Sequence, residues 1–426
     1  MTRPGLGKRP SAQTPVPSTV GLLFDPTWSG RLWLTFVIPV AWALVGFYYI
    51  LSTPANVRSH DFFGHVQYTS VIGEQHRIPN FNEGWETFQP PLYYLVNSLV
   101  PFQGHDHVFL VRLLSLFYGA CGLWLITLTL AAHPLDFRLS ALISGFIAST
   151  PTYFFLFTTY DNDSLAMFLS MALIICAYQA LHSPRPWPWV TLTAILSGAS
   201  LLTKYSSAPV LAYAATYSVG LAAMKMVSRK RAAILVLALG LGAACLVPWL
   251  YLHSYKQAGS PWATNFPWSD PVLVVASPLK ALGLPPIQQF ALRPRAAAHE
   301  YVWLFAFYSS IFGEYDFSLS AAFLWLVLAV HLVVDTMAVV AGFRTRRSRW
   351  VSLALLGAAL IPLPLFIRHP QYLVADYRYR AWTWVIWALA YRNLLVNPGI
   401  FRVPARWCLA FGIALHFVWL YYHSIH

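Results

Sequence analysis

Residues 319–342 read LSAAFLWLVLAVHLVVDTMAVVAG and run directly into Phe343-Arg344-Thr345-Arg346-Arg347-Ser348-Arg349. This apolar run is longer than the ~20 residues an α-helix needs to cross a hydrocarbon core. The arginines behind it mark a cytoplasmic flank, because Lys and Arg accumulate on that side of membrane proteins. Working outward, further apolar runs lie near residues 32–51, 108–132, 138–158, 163–182, 189–205, 207–224, 232–252, 351–367, 381–396 and 405–422, so about eleven transmembrane helices are expected. The composition agrees: of 426 residues, 58% are apolar or aromatic and 10% charged, against roughly 45–50% and 25% in soluble domains. A soluble protein is excluded, and the fold class expected is an all-α polytopic membrane protein.

The formal charge of +13 is a topology signal rather than a nucleic-acid footprint. Lys225, Arg229, Lys230 and Arg231 fall on the same side as Arg344, Arg346, Arg347 and Arg349 when the runs alternate, and 17 of the 28 basic residues share that side. Of the 15 acids only Asp25, Asp136 and Asp335 lie on or near it. The expected layout is a cytoplasmic segment 1–31, then a single transmembrane domain 32–426 with outer loops 52–107 and 253–318. Residues 1–31 lack an early apolar core, so Leu32–Leu51 reads as a retained first span rather than a cleaved signal. Cys121, Cys176, Cys245 and Cys408 sit inside apolar runs and suggest neither a disulfide framework nor a thiolate metal site.

Chemistry-bearing residues gather in the outer segments. Asp61 and His65 are four apart and would share one helix face, offering an acid and an imidazole together; a solvated interfacial helix capped by Asp61 is the alternative. The loop continues Ile78-Pro79-Asn80-Phe81-Asn82-Glu83-Gly84-Trp85-Glu86-Thr87-Phe88, then Gln89-Pro90-Pro91-Leu92-Tyr93-Tyr94. Asp161 and Asp163, one residue apart, suit a divalent cation (Mg or Mn) through hard oxygen ligands, or substrate hydroxyls without metal, with helix capping as the alternative. Lys204 in Leu202-Thr203-Lys204-Tyr205-Ser206 is costly in an apolar setting unless paired or snorkelling to headgroups. Phe312-Gly313-Glu314-Tyr315-Asp316 and Asp376-Tyr377-Arg378-Tyr379-Arg380 complete the outer set.

The first-loop pattern resembles the polyprenyl-phosphate-sugar-dependent glycosyltransferases of the C-type superfamily, the protein mannosyltransferase and aminoarabinose transferase group. Their first-loop Asp is followed some thirty residues later by a polar residue, Pro-Pro-Leu and an aromatic pair, places filled here by Asp61 and Gln89-Pro90-Pro91-Leu92-Tyr93-Tyr94. The second acidic motif is matched by Asp161 and Asp163, and the late Arg-Tyr motif by Arg378 and Tyr379. The resemblance implies interfacial helices in the first outer loop and an inverting sugar transfer from a polyprenyl-phosphate donor. Asp61 is then the catalytic base, His65, Glu86, Gln89, Tyr93, Tyr94, Lys204, Arg378 and Tyr379 bind substrate, and Asp161 and Asp163 are candidate metal ligands. It also implies a multi-pass protein of a bacterial plasma membrane, active at the outer face, with a lipid, glycan or protein acceptor and no nucleic-acid partner. Arg380 lies outside the pattern and reads as an interfacial anchor. The oligosaccharyltransferase soluble domain and the inserted sugar-binding repeats are not recognisable, which weakens transfer to protein.

Two other classes fit many spans with outer charges. A transporter or flippase usually shows repeated halves and broken midplane helices, whereas the polar residues here gather in loops. A non-catalytic envelope assembly protein would tolerate replacement of Asp61.

Overall fold

The computed structural model describes residues 34–57, 59, 61–101, 105–131, 137–261, 263, 278–283, 300–313, 320–344, 348–361, 363, 366–367, 376–396 and 401–425. Regular structure among them is helical throughout: α1 (Leu34–Ser52), α2 (Phe62–Gln75), α3 (Leu92–Ser98), α4 (His105–Ala131), α5 (Phe137–Ser149), α6 (Pro151–Leu156), α7 (Asn162–His182), α8 (Trp187–Thr203), α9 (Ala208–Ala223), α10 (Arg229–Ala258), α11 (Val302–Phe312), α12 (Ala321–Phe343), α13 (Arg349–Ala359), α14 (Trp384–Val396) and α15 (Arg402–Ile425). Six of these, α1, α4, α7, α10, α12 and α15, are long and apolar enough to cross a membrane. The chain is an integral, multi-pass membrane protein.

The other expected spans are shorter or broken, for visible reasons. The run 138–158 is cut at Thr150-Pro151, where proline opens α6 because it cannot donate the hydrogen bond that would continue α5. Lys204 is extended (φ −159°, ψ 135°) between α8 and a 3₁₀ turn, Tyr205–Ser207, so two helices flank it. The run 381–396 begins inside a 3₁₀ turn, Tyr377–Thr383, before α14 starts. Hydropathy registers an apolar run and is blind to such breaks. The segment 1–31 lies outside the described residues, as does most of the loop 253–318.

Lipid removes the hydrophobic drive between helices, so close packing rests on small residues and interhelical hydrogen bonds. At Gly242 α10 packs directly on Ala194 and Ser197 of α8, and Ser197 Oγ donates to the Leu239 carbonyl at 2.8 Å. Buried Arg112 of α4 gathers one end of the bundle. Its Nη1 donates to the carbonyls of Thr53 (2.8 Å) and Ile50 (3.3 Å) at the end of α1, and its Nε to that of Thr158 (3.0 Å) before α7. These are orphan acceptors that a helix C-terminus leaves for a cation.

The same end carries α2, α3 and the loop between them. Tyr68 of α2 stacks on Tyr94 of α3, with centroids 3.8 Å apart and planes at 15°. The loop is clamped by α10 where that helix widens into a π-helical stretch, Leu250–Tyr255, a local form common at functional sites. His253 Nε2 donates to the Thr87 carbonyl at 2.8 Å, and the Phe81 amide donates to Gln257 Oε1 at 2.7 Å. The four cysteines are free.

Candidate active site

These elements converge on a cavity of about 50 Å³ lined by Asp61, His65, Trp85, Glu86, Phe88, Gln89, Asp161, Lys204 and Arg378. The residues come from both sides of α2's start, from the clamped loop, from the α6–α7 connection, from the α8–α9 break and from the 3₁₀ turn before α14.

Asp61 stands at the mouth, exposed. It occupies the residue before α2 but caps nothing with its side chain, which sets aside the capping alternative. Instead its backbone is left-handed (φ 54°, ψ 23°), a conformation costing a non-glycine residue on the order of 1–3 kcal/mol and concentrated at functional sites. Its Oδ1 accepts from the Trp85 indole Nε1 at 2.9 Å. Gly64, one turn on, lets the loop close in: a Cβ there would meet Glu86 Cγ at 2.9 Å.

Glu86 is buried beside Asp61. Loss of water, reinforced by the Asp61 charge, pushes its carboxyl up to about 8, so it holds its proton at neutral pH. Gln89 is also buried, and its Oε1 has no hydrogen-bond partner among the described residues.

His65 forms part of the floor. Burial, with Lys204 and Arg378 nearby, lowers it to about 3, so it is neutral and its approaches to Asp161 (3.6 Å) and Glu86 (3.9 Å) are not ion pairs. Its Nδ1 lies 3.0 Å from the Tyr94 hydroxyl, which also receives the Asn162 amide at 3.4 Å. That chain assigns the Tyr94 O–H to Nδ1 and directs the Nε2 proton toward Asp161. Tyr94 and Tyr93 are fully buried and do not line the cavity; they support it from behind, with Tyr93 edge-on to Tyr94 at 5.3 Å.

Asp161 and Asp163 have separate tasks. Asp161 Oδ1 accepts the Asp163 backbone N–H at 2.9 Å and caps α7, while its carboxylate still borders the cavity. Asp163 is completely buried, with Lys204 Nζ 2.8 Å from its Oδ1 and Arg378 Nε 3.9 Å from its Oδ2. As a cation cage the pair fits poorly: one carboxylate is turned to the backbone, and the other already faces an ammonium where a metal would sit. Among the described residues no group of three or more His, Cys, Asp or Glu side chains converges as metal ligands.

Lys204 reaches this position because α8 ends at it. Arg378 is placed by the 3₁₀ turn, which Asp376 caps by accepting the Arg378 amide at 2.9 Å; Asp376 Oδ2 lies 3.5 Å from Arg378 Nε. Tyr379 is in the same turn, and its side chain lies outside the described residues. Arg380 is not an interfacial anchor: it is buried, its guanidinium over the Tyr377 ring at 5.5 Å. The sequence reading missed the roles of Trp85, Phe88, Asp376 and His253; an indole beside two first-loop acids was the one available signal.

The helical arrangement is similar to that of the archaeal oligosaccharyltransferase AglB from Archaeoglobus fulgidus, solved in complex with an inhibitory peptide and a dolichol-phosphate. The TM-score is 0.51 at 12% identity, over 93% of this chain and 56% of that one. The fold class is therefore that of an all-α polytopic membrane protein similar in arrangement to that archaeal chain. Weaker likenesses are to ArnT from Cupriavidus metallidurans bound to undecaprenyl phosphate (TM-score 0.44, 15% identity, 84% of this chain and 77% of that one) and to the S. cerevisiae protein O-mannosyltransferase Pmt1-Pmt2 complex bound to the sugar donor (0.41, 17%, 57% and 36%). This chain thus spans about a third of that mannosyltransferase chain. No curated protein matches the sequence. Residues 61–369 match the family described as Predicted membrane protein (DUF2142), and the chain belongs to that family.

Proposed function

We propose that the protein is a membrane glycosyltransferase that moves a hexosyl or pentosyl group from a polyprenyl-phosphate donor to a lipid, glycan or protein acceptor. We place the site at the outer face of a bacterial plasma membrane. The observation that carries this reading is the convergence, in one cavity, of an exposed carboxylate with two cations: Asp61 at the mouth, Lys204 and Arg378 in the wall. An AglB-like fold, in a protein solved with a dolichol-phosphate, supports the lipid-phosphate donor.

In this mechanism an acceptor hydroxyl attacks the donor's C1 from the face opposite the phosphate. The bond from C1 to the phosphate oxygen breaks with its electron pair on the phosphate, and Asp61 takes the hydroxyl proton. Arg378 meets the departing phosphate with a planar fork, and Lys204 adds a point charge. Neutral Glu86 and the orphan amide oxygen of Gln89 hydrogen-bond sugar hydroxyls. Lys204, rather than a divalent cation, neutralises Asp163.

The test is purified protein offered a panel of polyprenyl-phosphate sugars, scoring release of polyprenyl phosphate. Release that needs Asp61 supports the transferase. Movement of intact donor across a vesicle bilayer without release would identify a flippase instead.

A further inference from the structure

A second, larger cavity of about 220 Å³ lies between α5, α11, α12, α13, α14 and the 3₁₀ turn, and shares no lining residue with the first. The turn divides them. A 3₁₀ helix repeats every three residues, so Tyr377, Arg380 and Thr383 border the larger cavity while Arg378 borders the smaller.

Its wall is unusual for the interior of a membrane protein. Asp335 lies midway along α12, a spanning helix, and accepts the Tyr391 hydroxyl at 2.6 Å. His331, one turn earlier on the same helix, also lines the space. Behind it His331 Nε2 meets His416 Nε2 at 3.0 Å, and His416 Nδ1 meets Ser149 Oγ at 3.0 Å. Ionisable groups at such depth are expensive and mark functional sites. The Asp335 carboxyl and the buried Arg380 guanidinium both border this space. Together they offer acceptor and donor, the combination that hydroxyl groups, able to do both, satisfy. Three indoles, Trp303, Trp384 and Trp387, complete the wall, giving flat apolar surface for the C–H faces of a ring. The volume falls below the roughly 300–1,000 Å³ of drug-sized pockets, which limits the occupant to a small group.

We propose that this cavity is a second ligand site, taking one neutral polyhydroxylated ring such as a single sugar unit. It stands apart from the transfer site and does not depend on the transferase reading.

The test uses full-length protein in a sugar-free detergent, titrated with hexyl β-D-glucopyranoside, hexyl phosphate and hexanol while tryptophan fluorescence and thermal unfolding are followed. Saturable binding of the glucoside, tighter than either control, is expected. Trp387→Leu and Asp335→Asn should each weaken it by about tenfold or more, the loss of one buried contact, while Asp61→Asn leaves it unchanged. Should Asp335→Asn fail to fold, Thr150→Val, which alters a hydroxyl in the same wall, takes its place beside Trp387→Leu. Hexyl phosphate binding as tightly as the glucoside would make this an anion site, and equal hexanol binding an apolar void; either overturns the proposal, as does glucoside binding indifferent to Trp387. Because no turnover is read, a failed transfer assay leaves this result standing, and the reverse.

Discussion

Asp61 and Asp163 are carboxylates of neighbouring elements, yet they live in opposite surroundings. Asp61 is exposed, held left-handed and touched by an indole N–H. Asp163 is fully buried with Lys204 2.8 Å away. The difference separates a group free to exchange a proton with an incoming ligand from one whose charge is committed to holding helices together. A buried charge without its partner is far more destabilising than a solvated one.

The comparison breaks most sharply on activity at Asp61. Asn tolerates the left-handed region well, so Asp61→Asn should keep fold and membrane insertion while transfer falls ~10²–10⁴-fold, the usual worth of a positioned base. Near-normal transfer in a purified assay would remove Asp61 as the base. At Asp163 the effect should fall on stability. Asp163→Ala removes the carboxylate facing Lys204 and should cost about 3–5 kcal/mol, read as thermal unfolding in detergent, with Asp163→Ala/Lys204→Met recovering much of the loss. If the single variant melts normally, the buried pair is not structural.

A smaller effect is expected at Arg378, where Ala should weaken donor-phosphate affinity by about tenfold and Lys should restore only part of it, since a point charge cannot replace a planar fork. Acceptor binding should be unmoved, and equal donor affinity in all three proteins removes Arg378 from the site.

The pH dependence sharpens the contrast further. Glu86, held up to about 8 by burial and the Asp61 charge, binds its proton more tightly folded than unfolded. Its contribution is therefore full below the ordinary carboxyl range and is lost as pH rises through about 8. Glu86→Gln, neutral throughout, should flatten the decline in melting temperature between about pH 5 and 8. His65, lowered to about 3, works oppositely: its contribution is present above about 6.5 and is lost as pH falls toward 3. The smallest effect is expected from a chelator. With Asp163 already facing Lys204, turnover should stay within about twofold; loss restored by Mg or Mn would assign a cation to Asp161 and the donor phosphate.

The candidate site was legible to different depths. Asp61, His65, Glu86, Gln89, Asp161, Lys204 and Arg378 were each singled out as chemistry-bearing residues in outer segments, and the structure gathers them around one cavity. Tyr93 and Tyr94 were marked for substrate, but lie behind the cavity because α3 turns them into the core. Asp161 and Asp163 looked like a matched pair by spacing alone. The helix start directs one to the backbone and the other to Lys204, 41 positions on. The eleven-span expectation rested on apolar runs, and breaks at Pro151, Lys204 and Tyr377–Thr383 leave several of those runs in shorter helices.

By itself the sequence determined the solvent this chain folds in: the apolar runs, the scarcity of charge and the one-sided basic clusters require helices that satisfy their own backbone within lipid. Composition and periodicity suffice for that, because the bilayer acts on each segment separately. Only the tertiary structure decided which ionisable groups are matched and which stay open, setting Lys204 on Asp163, Trp85 on Asp61, and Arg378 and Arg380 on opposite sides of one turn. Those pairings join residues distant in the chain, brought together where helices end or break, and the ends and breaks set where each side chain arrives.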